Sequence, residues 1–340
     1  MPIGPSRDDA ALTVGLRRWV AAHPDDVPGL PAGSGAEVTS VVRAKEGMGN
    51  ETLLVELGPY PGIVVRLAPL VATFPDYELG PQALVQNVVA ASGVPAPAPA
   101  VVVDDTTFIG APFLVMPRVE GRIPGAAPLF DKWMLSLSDG ERGTMHDGLI
   151  GALAEVHRVD WAAAGVDSVL APRTLADELE VWASYLEWSS EGQPLPALAT
   201  ALEWCRRHQP DEGEAPVLLW GDARMGNVVY DDSLAVHAVL DWDLAGIGAR
   251  QMDLGWYFGL EYMMEQLFGR RVPGFPSRRE ALDVYTARSG HRVTDLGWHE
   301  VFALTRALAI NDRHQRIAAN RDREQNPMAA VLLARITEEE

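Results

Sequence analysis

The chain has 340 residues, with 28 Lys and Arg against 47 Asp and Glu, a net charge of −19. That balance argues against a nucleic-acid or anionic-membrane partner, because phosphate contacts need clustered Lys and Arg. Hydrophobic residues make up 47%, enough for a large core, and the length exceeds a typical single domain, so two lobes are expected. Cys205 is the single cysteine, which excludes an intramolecular disulfide and a CxxC zinc site. The stretch 1–9 lacks a basic segment followed by an apolar one, and no apolar run reaches the ~18 residues that span a bilayer. A soluble, cytoplasmic protein is expected. Lysine occurs only at Lys45 and Lys132, and every other basic residue is Arg.

Residues 8–22 read as an amphipathic helix, with Leu12, Val14, Leu16, Trp19 and Val20 spaced for one broad face. A Pro/Gly loop follows to position 35. Three strands are expected at 37–44, 51–57 and 62–67, joined by short turns as an antiparallel meander. A helix at 76–92 ends at Gly93. Pro95, Pro97 and Pro99 then force an extended segment, with strands at 100–103 and 112–116. From Arg118 the pattern turns helical, with helices expected at 149–159, 175–189, 197–208, 279–289 and 295–320. Short apolar runs at 217–219, 228–230 and 235–240 interrupt them. The tail 337–340 reads as a frayed, charged end.

Two segments stand out chemically: Trp220-Gly221-Asp222-Ala223-Arg224-Met225-Gly226-Asn227, and Leu240-Asp241-Trp242-Asp243. Each places an acid directly after a short apolar run, and strand ends are where a rigid scaffold presents reactive groups. Two carboxylates and an amide oxygen suit Mg²⁺, with one carboxylate left to orient an attacking hydroxyl. The same residue types also suit tight turns that end buried strands.

The order of the whole chain resembles the aminoglycoside phosphotransferase/choline kinase-like family. The matching segments are Glu46-Gly47-Met48-Gly49-Asn50, Ile63-Val64-Val65-Arg66, Gly93-Val94-Pro95-Ala96-Pro97, 111–121, Leu153-Ala154-Glu155-Val156-His157, the loop from Trp220 to Asn227, Asp241-Trp242-Asp243 and Asp253-Leu254. The resemblance covers about residues 40–260 in unbroken order. It implies an α+β, two-lobed protein-kinase-like fold: a small five-stranded antiparallel N-lobe with one helix, and a larger, mainly helical C-lobe. The division expected is an N-terminal helix and linker at 1–35, a nucleotide-binding lobe at 36–117 and a catalytic lobe at 118–340.

Carried over residue by residue, Asp222 matches the catalytic Asp that orients the acceptor hydroxyl. Asn227 and Asp241 match the metal ligands. Gly47, Met48, Gly49 and Asn50 match the loop covering the phosphates, and Arg66 the strand-borne cation that pairs with them. Met116, Pro117, Arg118 and Val119 match the hinge whose backbone receives adenine. Asp253 matches an Asp that steadies the catalytic loop, and His157 a structural helix position. ATP and Mg²⁺ are the implied co-substrate and cofactor, and a small-molecule hydroxyl the implied acceptor.

The chain departs from the family pattern in three places. Arg66 stands where Lys is usual, and its fork can bind phosphate oxygens bidentately. The acidic partner of that cation is replaced by Gln82, with Glu78 one turn earlier as the other candidate. Trp220 replaces a usual His. On the acceptor side, Arg224 and Asp243 flank the chemistry. Trp182, Tyr185 and Trp188 recur at helical spacing, as core or as an acceptor wall. Asp177, Glu178, Glu180, Glu187 and Glu191 form either a solvated helix face or a surface for a cation. The leading expectation is an ATP-dependent small-molecule kinase. The alternative is a catalytically weak or inactive kinase-like module that binds nucleotide or small molecule. The acceptor classes left open are an antibiotic, an amino alcohol, a sugar and a hydroxyacyl thioester.

Overall fold

The computed structural model describes residues 6–44, 50–211, 214–320 and 322–340. They form two units, Met1–Glu120 and Gly121–Glu340. The architecture is α+β, with a five-stranded antiparallel sheet in the first unit and a mainly helical second unit.

In the first unit the strands are β1 (Ser40–Arg43), β2 (Glu51–Leu57), β3 (Tyr60–Leu67), β4 (Val101–Val103) and β5 (Phe113–Pro117). Their order across the sheet is β1-β2-β3-β5-β4. The helices are α1 (Asp9–Ala22) and α2 (Leu79–Ala91), the latter inserted after the third strand as the sequence predicts. Period-two alternation sorts the side chains. Leu53, Val55, Ile63, Val65, Phe113 and Val115 share one buried cluster with Leu12, Leu16, Trp19 and Val20 of α1, whereas Val14, expected on the same face, is exposed because it falls between the turns that meet the sheet. Leu114 and Met116 share another with Leu79 and Ala83 of α2. The N-terminal helix is therefore part of the same core as the sheet. Ion pairs reinforce this attachment: Arg43 meets Asp9 at 2.6 Å and Glu51 at 2.8 Å, and Arg7 meets Glu51 at 2.8 Å.

The second unit carries α3 (Lys132–Ser136), α4 (Asp139–Val156), α5 (Leu175–Ser190) and α6 (Pro196–Arg207), then β6 (Val217–Leu219), β7 (Val228–Tyr230), β8 (Val236–Val239) and β9 (Gly246–Gly248). It ends with α7 (Gln251–Phe268), α8 (Arg278–Ser289), α9 (Gly297–Ile317) and α10 (Pro327–Glu339). Two small antiparallel pairs, β6 with β9 and β7 with β8, sit among the helices. Among the described residues no helix is long and apolar enough to cross a membrane.

The helical unit departs from expectation in three places. Helix α4 starts at Asp139, ahead of the expected 149, because Ser138 and Glu141 close a reciprocal capping box. Helix α7 was not expected: it is apolar around much of its circumference and contains Gly255 and Gly259, which hide a 3.6-residue period. The tail expected to fray is instead the end of α10. Asn326 caps that helix by accepting from the Met328 N–H at 3.0 Å, Leu332 and Ile336 are buried, and Arg335 Nε donates to Glu300 at 3.1 Å.

Inside this unit His146 is fully buried between Tyr257 and Phe275, with no hydrogen-bond partner at either ring nitrogen. Burial, helped by the Arg271 charge, lowers its pKa to about 4. The unfolded chain takes up this proton near pH ~6.5 and the folded one only near the lower value, so stability falls as pH drops through that window. Urea unfolding of His146→Leu should therefore lose about 2 kcal/mol less stability between pH 7 and pH 5 than the unsubstituted chain does.

Candidate active site

The site in the second unit is built on Asp253, which is 1% exposed in the first turn of α7. Its Oδ2 accepts from the Trp220 N–H at 2.7 Å and lies 3.0 Å from His157 Nε2. Its Oδ1 accepts from the Gly221 N–H at 2.8 Å. A neutral His157 donating from Nε2 leaves Nδ1 to accept from the Tyr285 hydroxyl, 2.7 Å away. Burial raises the pKa of that hydroxyl, keeping it a donor. One carboxylate thus fixes the backbone where β6 ends and the loop begins.

Gly221 adopts φ +86°, and a Cβ there would lie 1.9 Å from the Leu244 carbonyl oxygen. Only glycine fits both the left-handed backbone and the close approach of the 241–245 loop. The loop then turns Asp222 inward, its side chain 16% exposed. Asp222 Oδ2 accepts from Asn227 Nδ2 at 2.7 Å and from Arg224 Nε at 2.8 Å. Oδ1 accepts from Trp256 Nε1 at 2.9 Å. Asn227 Nδ2 also donates to the Asp222 carbonyl at 3.0 Å, so the amide oxygen turns the other way.

The β7–β8 hairpin carries Asp241 to the same end. Val228 pairs with Val239, the Leu240 N–H donates to the Asn227 carbonyl at 2.9 Å, and Trp220 Nε1 donates to the Leu240 carbonyl at 2.8 Å. Asp241 follows directly, in a left-handed conformation at φ +68°. Strain of this kind, of order 1–3 kcal/mol, persists where surrounding structure holds it. Trp220 is fully buried, its ring 6.2 Å from that of Trp242. It stands where a His is expected, its indole N–H bonded to the Leu240 carbonyl. Asp243, on the same turn, is half-buried.

The donor types fit a magnesium site completed by phosphate oxygens: one amide oxygen, on Asn227, and one carboxylate, on Asp241, at the same hairpin end. Among the described residues no three His, Cys, Asp or Glu side chains form a metal cage of their own.

In the first unit, Arg66 lies half-buried on β3, opposite Thr52 of β2 and Leu114 of β5. Asn50 immediately precedes β2, and Gly47, Met48 and Gly49 lie outside the described residues. Met116 is buried, its sulfur accepting from Gln86 Nε2 at 3.5 Å. The Arg118 N–H donates to the Gly62 carbonyl at 2.9 Å, and its guanidinium meets Glu56 at 2.5 Å. Strand β4 pairs with β5 only over Phe113–Val115, so β4 does not cover the edge from Met116 through Pro117 to Val119, the segment expected to be the hinge. Glu78 is exposed one residue before α2, whereas Gln82 is buried in its first turn with no partner at Oε1.

The acceptor candidates separate. Arg224 is bound to Asp222. Trp182 and Tyr185 are buried, with ring centroids 5.0 Å apart, and pack within the helical core. The acids of α5 are mostly committed. Asp177 closes a capping box, Glu178 meets Arg173 at 3.3 Å, Glu180 meets Arg206 at 3.2 Å, and Glu191 meets Arg313 at 3.1 Å. Sequence reasoning missed a small cleft, partly open to solvent, beside the loop that carries Asp222. Leu129, Met225, Gly226, Tyr257, Leu260, Met264 and Phe275 line it, with Arg224, Arg270, Arg271, Glu261 and Glu265 among its charged groups. Burial raises the Glu261 pKa to about 7, against the pull of Arg271. Trp256 was missed as well, because helix α7 was not recognised. Its spacing of three from Asp253 would have pointed to it.

Gly221→Ala should collapse this arrangement, since the added methyl meets backbone on a left-handed residue. A loss of about 3 kcal/mol or more is expected in thermal or chemical unfolding.

The sequence model described as the phosphotransferase enzyme family matches residues 40–275. Curated relatives include human acyl-CoA dehydrogenase family member 11, 26% identical over 287 residues, covering 81% of this chain and 36% of that protein. Mouse acyl-CoA dehydrogenase family member 10 is 26% identical over 281 residues, covering 78% of this chain and 25% of that protein. The chain thus spans about a third or less of the length of these relatives. A candidate aminoglycoside phosphotransferase from Ralstonia eutropha superposes with a TM-score of 0.71 at 22% identity, covering 95% of this chain and 98% of that one. A macrolide 2'-phosphotransferase from Brachybacterium faecium gives 0.57 at 19% identity, covering 93% and 97%. An aminoglycoside phosphotransferase mutant solved with ADP and hygromycin B gives 0.58 at 14% identity, covering 88% and 94%. These likenesses show a shared protein-kinase-like fold. With the family pattern matched along residues 40–275 and the loop geometry in place, the chain belongs to the phosphotransferase enzyme family.

Proposed function

We propose that this protein moves the γ-phosphate of ATP to a hydroxyl of a small molecule. The observation that carries this reading is Asp222, held by three donors of which one is Asn227, with Asp241 following directly on the residue whose N–H bonds the Asn227 carbonyl. The bond between the γ-phosphorus and the bridging oxygen breaks as the acceptor oxygen forms its own. Asp222 orients the acceptor hydroxyl and takes its proton. Asn227 Oδ1 and the Asp241 carboxylate would hold Mg²⁺, whose chemistry there would be to neutralise charge on the phosphates. By the family pattern, Arg66 would pair with phosphate oxygens, the segment Gly47 to Asn50 is the one matched to their cover, and the backbone from Met116 through Pro117 and Arg118 to Val119 would receive adenine. Asp253 keeps the loop in register, so that positioning, the main protein contribution in this chemistry, is built before substrate arrives.

The acceptor we infer is a hydroxyl compound with a substantial apolar part. The cleft beside Met225 and Gly226 is walled mainly by apolar side chains and holds three arginines against two glutamates, Glu261 and Glu265, which lie 3.6 and 3.9 Å from Arg271, while most acids of α5 are engaged with arginines or a cap. A polycationic drug has little to bind there. The curated relatives carry acyl-CoA dehydrogenase names, so hydroxyacyl thioesters lead the acceptor panel, ahead of sugars and amino alcohols.

Incubation with ATP, Mg²⁺ and that panel should release ADP in step with a phosphorylated product. ATP binding without consumption across the panel would favour the nucleotide-binding module instead. Asp222→Ala should lower turnover by about a thousandfold or more while ATP affinity stays within a few-fold. Asp241→Ala should instead remove the Mg²⁺ dependence of nucleotide binding in calorimetry.

A further inference from the structure

Helix α7 reaches the catalytic loop twice on one face. Asp253 and Trp256 are three residues apart, so their side chains stack one turn above the other. Asp253 takes the N–H groups of Trp220 and Gly221. Trp256, 5% exposed, gives its indole N–H to Oδ1 of Asp222. The other two donors, Arg224 and Asn227, both bond Oδ2. Donors on a single oxygen leave the carboxylate free to swing about it. A donor on the second oxygen fixes its plane, and with it the direction of the remaining lone pairs.

The indole is itself clamped. Arg306 of α9, 6% exposed, places its guanidinium carbon 4.9 Å from the Trp256 ring centre and 4.8 Å from that of Trp182. Its Nε has no hydrogen-bond partner, and the nearby charges are those of Glu178, Asp253 and Asp222. A planar cation between two indoles gains stacking and cation–π attraction that a desolvated site strengthens. Close packing of α7 on α9 makes this possible: a Cβ at Gly255 would sit 2.5 Å from the His299 Cβ, and one at Gly259 would sit 3.3 Å from the Ala303 Cβ.

We propose that Trp256 is a positioning residue that fixes the plane of the Asp222 carboxylate, and that Arg306, stacked between Trp182 and Trp256, locks the indole in place. The kinetic part of this inference rests on the phosphotransfer reading above, and the contact itself does not.

Trp256→Phe keeps an aromatic face for Arg306 and removes only the donor and part of the ring. In the full-length chain it should lower kcat by about tenfold to a hundredfold, the range expected for a misaligned reacting group, with KM for ATP within about twofold. Arg306→Lys should lower kcat less. Combined with Trp256→Phe it should add little, because both act through one contact. Unchanged kcat in a folded Trp256→Phe protein, or full additivity of the two substitutions, overturns the proposal. A second measurement needs no acceptor. In protein labelled with ¹⁵N-tryptophan, the Trp256 indole signal is identified by its loss in Trp256→Phe. It should move when Asp222 is replaced by Ala and stay in place when the distant His291 is replaced by Ala. An indole signal indifferent to Asp222→Ala shows that the hydrogen bond does not form and overturns the proposal. If the native chain transfers phosphate to no acceptor, the function above fails, and the indole signal still decides the clamp.

Discussion

The structure of the second unit depends on one buried carboxylate. Asp253 accepts two consecutive backbone N–H groups and lies within hydrogen-bond distance of His157, which is bound in turn to Tyr285. A buried carboxylate is costly unless its oxygens are bonded, and here three contacts meet that need. In return, the chain leaving β6 is held at Trp220 and Gly221, and the direction of Asp222 follows. Gly221, with its positive φ and its contact with Leu244, lets the 241–245 loop come close enough to share the site.

Around this point the charges are arranged locally, against the trend of the whole molecule. The chain carries a net −19, yet Arg224 lies against Asp222 and Arg270 and Arg271 line the neighbouring cleft. In phosphoryl transfer the reacting groups are anionic, and cations near them matter more than the overall charge. The acids of α5 illustrate the converse. In sequence they form an uninterrupted acidic run; in three dimensions most meet arginines from other elements or cap their own helix.

Position in the fold, which residue type alone leaves open, decides what several aromatic side chains touch. Trp182 and Tyr185 pack inside the helical unit. Trp182 still matters, because it forms one side of the stack that holds Arg306. Trp220 keeps the space expected of a His and uses its single N–H to tie Leu240, the residue before Asp241. A large aromatic can stand in for a polar residue where the main requirement is to fill volume and satisfy one carbonyl.

The sequence by itself determined the alternating strands, the helix inserted after the third of them, and the candidate trio Asp222, Asn227 and Asp241. The elements rest on local rules, apolar period and turn residues; for the trio, acids just after short apolar runs left a plain turn equally open, and the ordered resemblance to the phosphotransferase family singled it out. What only the tertiary structure decided was which groups meet them. Helix α7 lacks a clear period because it is buried on most sides, so Trp256 gave no signal, and Arg306 is far away in sequence. The placing of α1 on the sheet, the ordering of the tail as α10 and the engagement of the α5 acids were hidden for the same reason. Each depends on contacts between residues tens to hundreds of positions apart, and a pattern read along one chain carries only what near neighbours impose on each other.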